Sequence, residues 1–386
     1  GNGSRKKMTE RLKHVSNRGI FKKSIFGPAN NLEKSNDKIM SEKNPFGSDK
    51  VIIQHISKAD LKTYFVGFDF GEYRYDKLVD LILDVIVDFA FGFHKGILSE
   101  NYNRRILIEA AKSIYGIKKK TESGEVELFL EAKKIFVDRD SDIEDEDTDN
   151  KYLKRGEFGE LILHLLLRDF IVTVPLISKI FFKDTDGATV HGFDAVHIGP
   201  SVSNPSKRSL YLGESKLYNC GKTGVTELIG DIENHFKKDF LRREFALISK
   251  KQDSFLSLFD NKDKNSCEEY KEFLKEKEKW FKQLDEHNKL QDILDSVTIP
   301  LLCTYTSEIF SKHTDEETEE FIEDYECEIE GLKEHFDKKV KNISGVTEQG
   351  EPIITNLNII LMLFPVPSKK ELVKRLHTRL HNQQGS

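Results

Sequence analysis

Between residues 189 and 218 two apolar segments face each other across a turn-rich stretch. Each runs into charged residues on its apolar side. The first arm ends His191-Gly192-Phe193-Asp194-Ala195-Val196-His197-Ile198, and the second reads Ser209-Leu210-Tyr211-Leu212-Gly213-Glu214-Ser215-Lys216-Leu217-Tyr218. Side chains alternate faces along a strand, so Asp194 shares a face with Val196 and Ile198, and Glu214 and Lys216 share one with Leu210 and Leu212. Charges in line with core positions are costly unless they are paired or hold a metal. Two carboxylates converging from neighbouring strands, with a lysine two residues on, can hold a divalent cation and orient a water.

The elements around this hairpin follow a readable order. A helix over 156–170 precedes a strand near 172–182. The hairpin arms fall at 189–198 and 208–217, with the turn at Gly199–Lys207. A helix at 223–240, a strand at Val297–Tyr305, a long acidic helix at 314–342, a strand at Asn358–Phe364 and a closing helix at 368–381 complete the chain. Ser368 and Glu371 fit a capping box for that last helix. Residues 245–295, with the only tryptophan, Trp280, form a charged helical insertion. Without it the order is α-β-β-β-α-β-α-β-α, which predicts an α/β (α+β) fold with a mixed central sheet flanked by helices. The opening helix begins Arg155-Gly156-Glu157-Phe158-Gly159-Glu160, so Glu157 and Glu160 lie three apart near one face. Its apolar body, Leu161 to Leu167, buries against the sheet and lets a glutamate at its start reach the sheet edge.

The amino-terminal part is organised differently. Residues 1–50 are polar and turn-prone, and residues 1–23 carry eight basic groups against Glu10. This is expected to be a flexible arm, with nucleic-acid or partner binding as the alternative. Strands at Val51–Ile56 and Tyr64–Phe70, a buried helix at 78–93 and helices near 101–116 and 124–136 read as a separate α+β domain over 51–137. Asp80, Asp84 and Asp88 recur every four residues in the buried helix, as one polar stripe. The acidic run at 138–150 is expected to be a linker. Its Asp138-x-Asp140-x-Asp142 opening resembles a calcium loop, but Ile143 stands where that loop needs glycine. The second domain is then 151–386.

The net charge of −6, from 60 Lys+Arg and 66 Asp+Glu, at first speaks against a nucleic-acid partner. Its distribution reverses that reading. Asp138–Asp149 contributes −7 and residues 315–330 contribute −10, which leaves +11 on the rest of the chain. Phe321, Tyr325 and Ile329 recur every four residues, so 315–330 is expected to be an amphipathic helix with an acidic outer face. That face, or the linker, is expected to repel DNA from an idle site or to dock a basic partner surface. Four scattered cysteines argue against a structural zinc site or a disulfide framework. No apolar run reaches the ~20 residues of a membrane span. No signal-peptide pattern is visible, so a cytoplasmic bacterial location is expected.

A Glu-x-Lys alone carries little weight in a chain this charged. A helix glutamate, then an aspartate at a strand end, then Glu-x-Lys on the next strand carries more. In these residues the chain resembles the PD-(D/E)xK nuclease superfamily, whose motif positions match Glu160, Asp194, Glu214 and Lys216. The stretches Gly156–Leu167, Gly192–Ile198 and Leu212–Tyr218 look closer still to the HamA family, the nuclease subunits of Hachiman anti-phage systems. The likeness extends to Phe65-Val66-Gly67-Phe68-Asp69-Phe70-Gly71-Glu72-Tyr73-Arg74. The resemblance implies a Mg²⁺- or Mn²⁺-dependent DNase that forms a heterodimer with a HamB-like superfamily 2 helicase, which restrains it. It implies that Asp194 and Glu214 hold the metal, that Glu160 completes the site, and that Lys216 positions water or stabilises the transition state. Glu157 is a possible additional ligand, less favoured because the superfamily glutamate follows a small residue, as Glu160 follows Gly159. Phe193 replaces the proline that precedes the motif aspartate.

Gly221-Lys222-Thr223 resembles the end of a phosphate-binding loop, but Lys216 occupies the position of its first glycine. At a helix start, Lys222 and Thr223 are candidates for a DNA-phosphate contact. His191 and His197 flank Asp194 and are expected to pack or hydrogen-bond locally. Two other functions fit the residues: a non-catalytic DNA-binding subunit of a helicase complex, and a sequence-specific restriction endonuclease.

Overall fold

The computed structural model describes residues 44–91, 156–177, 193–235, 296–340 and 357–385. The expected helices at 101–116 and 124–136, the acidic linker, the insertion at 245–295, His191 and nearly all of the amino-terminal arm lie outside the described residues.

Seven strands form one sheet in the order β1-β2-β9-β8-β7-β6-β5. They are β1 (Ile52–Ser57), β2 (Leu61–Val66), β5 (Val174–Ile177), β6 (Ala195–Pro200), β7 (Arg208–Tyr218), β8 (Ser296–Thr306) and β9 (Leu357–Val366). A two-residue ladder of β3 (Phe68–Asp69) and β4 (Glu72–Tyr73) stands beside it. The centre, β7-β8-β9, is parallel and β9 pairs parallel to β2, while β1, β6 and β5 run antiparallel to their neighbours. Strands buried on both faces read as continuous apolar runs, which is how β8 and β9 look in the sequence. The expected mixed sheet flanked by helices is the fold found.

The expectation of a separate amino-terminal domain is corrected. β1 and β2 extend the same sheet, with Leu61, Lys62 and Thr63 paired to Leu361, Met362 and Leu363. The helices that follow, α1 (Tyr75–Asp84) and α2 (Ile86–Phe91), bury Leu78, Ile82 and Phe89 in the same core as α3 (Glu157–Leu166). The described residues all belong to one compact unit. The physical reason is that the β9 edge not paired to β8 carries backbone N–H and C=O groups that need partners, and β2 supplies them.

Helices cover both sheet faces. α1, α2, α3 and α7 (Lys369–Gly385) pack on one. α4 (Gly221–His235), the short α5 (Ile309–Lys312) and α6 (Glu319–Val340) pack on the other. α6 buries Phe321, Tyr325 and Ile329 as expected, and its acidic side is exposed except for Glu328, which accepts hydrogen bonds from the Tyr305 and Ser307 hydroxyls, both at 2.8 Å. At the start of α7 half of the expected capping box forms: the Glu371 N–H donates to Ser368 Oγ at 3.1 Å, while the Glu371 carboxylate takes Arg375 instead.

The polar stripe of the buried helix is also corrected. The helix breaks at Val85, and although Asp80 and Asp84 are exposed, Asp88 is fully buried. Its carboxylate meets His164 of α3 and accepts from Arg168 Nε at 3.1 Å. His164 Nδ1 lies 3.1 Å from His197 Nε2, whose other nitrogen lies 2.8 Å from Thr173 Oγ1. Arg168 Nη1 donates to the Thr173 carbonyl at 2.7 Å, which closes a ring of five residues. Burial pulls both histidines below their ordinary pKa, so the ring holds neutral imidazoles. The local hydrogen bonding expected for His197 is this ring.

Candidate active site

β7 carries the site because its face alternation puts Glu214 and Lys216 beyond Leu210 and Leu212, on the side covered by α4. Close helix approach brings partners to both. A Cβ on Gly224 of α4 would stand 2.5 Å from Cys303 Sγ of β8, so only glycine lets α4 lie this near the sheet. On the opposite face a Cβ on Gly213 of β7 would stand 2.9 Å from Leu163 Cδ2, and its absence seats α3.

Glu160, Asp194, Glu214 and Lys216 line one cleft of about 410 Å³, together with Ser215, Tyr218 and Lys369. Asp194 stands one residue before β6, where its N–H donates to the Gly213 carbonyl at 2.9 Å. The N–H and hydroxyl of Ser215 both donate to Asp194 Oδ2 at 2.8 Å, which fixes the carboxylate against the β7 backbone. Glu214 is only 5% exposed, and its Oε1 lies 3.0 Å from His235 Nδ1. Burial first, then the charges of Asp194 and Asp231, push its carboxyl well above the usual carboxylate range. Burial also lowers His235 below its ordinary value. Lys216 Nζ forms an ion pair with Asp231 Oδ2 at 2.6 Å. Burial alone would lower this lysine, but the hydrogen bond and charge of Asp231, with Glu214 and Asp194, carry it above its ordinary value.

The four motif residues are therefore brought together. Glu157 is not with them: it lies one turn earlier in α3 and does not line the cleft, and its Oε2 is buried without a hydrogen bond among the described residues. Lys222 and Thr223 are exposed at the start of α4 and also lie off the cleft. Sequence reasoning missed Asp231, His235 and Lys369. Asp231 and His235 are four apart, which does place them on one helix face, but so do many solvated pairs. Lys369 had no local signal: β9 runs parallel to β8 and delivers the start of α7 to the same sheet end, where the Lys369 N–H donates to Thr306 Oγ1 at 2.8 Å.

Among the described residues, no three His, Cys, Asp or Glu side chains already stand as a ready metal site. Asp194 is engaged by Ser215 and Glu214 by His235. The donor set is nonetheless the oxygen-rich kind that suits a hard divalent cation. Glu214 resists ionisation first because it is buried and then because Asp194, Asp231 and Glu160 are negative with Lys216 opposing them, a stress that a divalent charge would relieve.

The HamA family model matches residues 44–380 of the chain. The chain belongs to the HamA family. Membership places this HamA-family chain in anti-phage defence. No curated protein and no solved structure matches it. Among its described residues no helix is long and apolar enough to cross a membrane.

Proposed function

We propose that this chain is a divalent-cation-dependent DNA nuclease that works beside, and is restrained by, a HamB-like helicase. The reading rests on one observation above all: Glu160, Asp194, Glu214 and Lys216, from one helix and two strands, meet in a single cleft. Asp194 and Glu214 would hold Mg²⁺ or Mn²⁺, with Glu160 as the third carboxylate. When bound, such a cation stabilises the charge that grows on a phosphodiester and makes water easier to deprotonate.

The chain's own groups supply the rest. Ser215 fixes Asp194 through Oδ2, which leaves Oδ1 for a ligand. Glu214 must be ionised and released from His235 Nδ1 before both of its oxygens can hold a cation. Asp231 holds the Lys216 ammonium in place, and from there it orients a water or stabilises a developing oxyanion. Glu160 at the opening turn of α3 brings negative charge to the other side of the cleft.

The purified chain should nick or degrade plasmid with Mg²⁺ and leave it intact in EDTA. Glu214→Ala and Lys216→Ala should each abolish cutting. Discrete fragments with one end sequence would favour a restriction enzyme. If both variants lose phage protection, yet the parent cuts no substrate with or without the helicase, the DNA-binding regulatory subunit is the correct reading.

A further inference from the structure

The cleft contains two lysines in opposite electrostatic situations. Lys216 is committed to Asp231 at 2.6 Å. Lys369, the first residue of α7, is half-buried, and its ammonium stands 5.7 Å from the ring centroid of Tyr218, another residue of the cleft wall. Among the described residues it forms no ion pair. Its backbone is pinned by the bond to Thr306 Oγ1, so the side chain starts from a fixed point at the sheet end.

We propose that Lys369 is the residue of this cleft that grips a backbone phosphate of the nucleic-acid substrate. The assignment rests on the nuclease reading above and deepens it. A half-buried ammonium without an anion has lost solvation and gained only an aromatic face in return. Burial accordingly lowers its pKa, and among the described residues no carboxylate raises it again. A phosphate oxygen entering the cleft supplies the missing counter-charge. Lys216 already has Asp231 as a counter-charge, so a phosphate adds less to it than to Lys369. The two lysines thus divide the work: one positioned at the reacting centre, one that holds the strand. Tyr218 limits where the Lys369 ammonium can go and keeps it on the cleft side.

The test is binding of a fluorescein-labelled 20-base-pair duplex to the full chain, titrated across salt concentrations, in EDTA and again with calcium in place of magnesium. Each lost phosphate contact removes about 0.9 from the slope of log affinity against log salt, or about eightfold in affinity near 0.1 M. Lys369→Ala should show both changes, Lys369→Arg should retain most of the slope, and Lys374→Ala, an exposed lysine further along α7, should leave it unchanged. Thermal melting of each variant separates a binding loss from a folding loss. A folded Lys369→Ala chain with the parental slope overturns the assignment, and so does a Lys374→Ala chain that loses as much. If the parent cuts DNA while Lys369→Ala keeps its slope, only the role of Lys369 fails. A parent that binds no duplex under either condition overturns the nuclease reading as well.

Discussion

Replacing Asp88 should cost this chain more than replacing any exposed acidic residue, and the structure gives the size of the effect. Asp88 is completely buried, and its carboxylate serves His164, itself 2% exposed, and the Arg168 guanidinium at 3.1 Å. Asp88→Ala leaves a nearly buried guanidinium without its counter-charge and a buried imidazole nitrogen without a partner. Breaking one side of a buried ion pair costs about 3–5 kcal/mol. Asp88→Asn keeps one carbonyl acceptor, so its cost falls to about 1–3 kcal/mol. An unfolding entropy of roughly 2.1 cal/mol/K per residue gives roughly 0.8 kcal/mol/K for a chain of this length, so Asp88→Ala should lower Tm by about 4–6 °C. Differential scanning calorimetry of the parent, Asp88→Ala, His164→Ala and the double variant measures the coupling directly, and the double variant should cost clearly less than the sum of the singles. Additive singles, or an Asp88→Ala chain that melts within about 1 °C of the parent, would show that the ring holds nothing together.

Acid should act on the same ring. His164 and His197 are depressed in the folded chain, so between the unfolded histidine value of about 6.5 and their folded values the unfolded chain takes up protons that the folded one refuses. Stability present above pH 6.5 is therefore lost as pH falls, and His197→Gln should reduce that slope in denaturant titrations. Glu214→Gln should have the opposite profile. A carboxyl raised in the fold loses stability as pH rises from its unfolded value through its folded one, so the variant should exceed the parent by about 1–2 kcal/mol at pH 8 and match it near pH 4. Equal stability at pH 8 would mean that the carboxylate is not under stress. Phe70 lies fully exposed at φ +53° in the two-residue turn between β3 and β4, followed by Gly71 at +84°. Asparagine suits that left-handed position, and Phe70→Asn should stabilise the chain by about 1 kcal/mol on thermal melting; a loss would argue against this turn geometry.

The motif residues were legible because they sit on consecutive elements, where strand alternation and helix spacing say what faces what. Glu214 and Lys216 needed only the apolar rhythm of Leu210 and Leu212 to reveal their face. Asp88 was misread because periodicity knows nothing of the break at Val85, nor that His164, inside a run of leucines, would need an acid from another helix. β1 and β2 read as a domain of their own because β9, which pairs with β2, lies some 300 residues further along the sequence. Asp231, His235 and Lys369 escaped for the same reason: helix charges are ordinary, and what they meet is decided by packing.

The pairing of Leu61 with Leu361, 300 residues apart, also orders events in time. Chains emerge amino-terminus first, and non-local strand pairing waits for both partners. β1 and β2 therefore leave the ribosome long before β9, the strand that will hold β2 in the sheet. Lys369 follows directly after. A chain interrupted before β9 carries Glu160, Asp194, Glu214 and Lys216 without Lys369 and without the strand that joins β2 to β8. Those four residues meet their complete cleft only once the segment through Lys369 has been made.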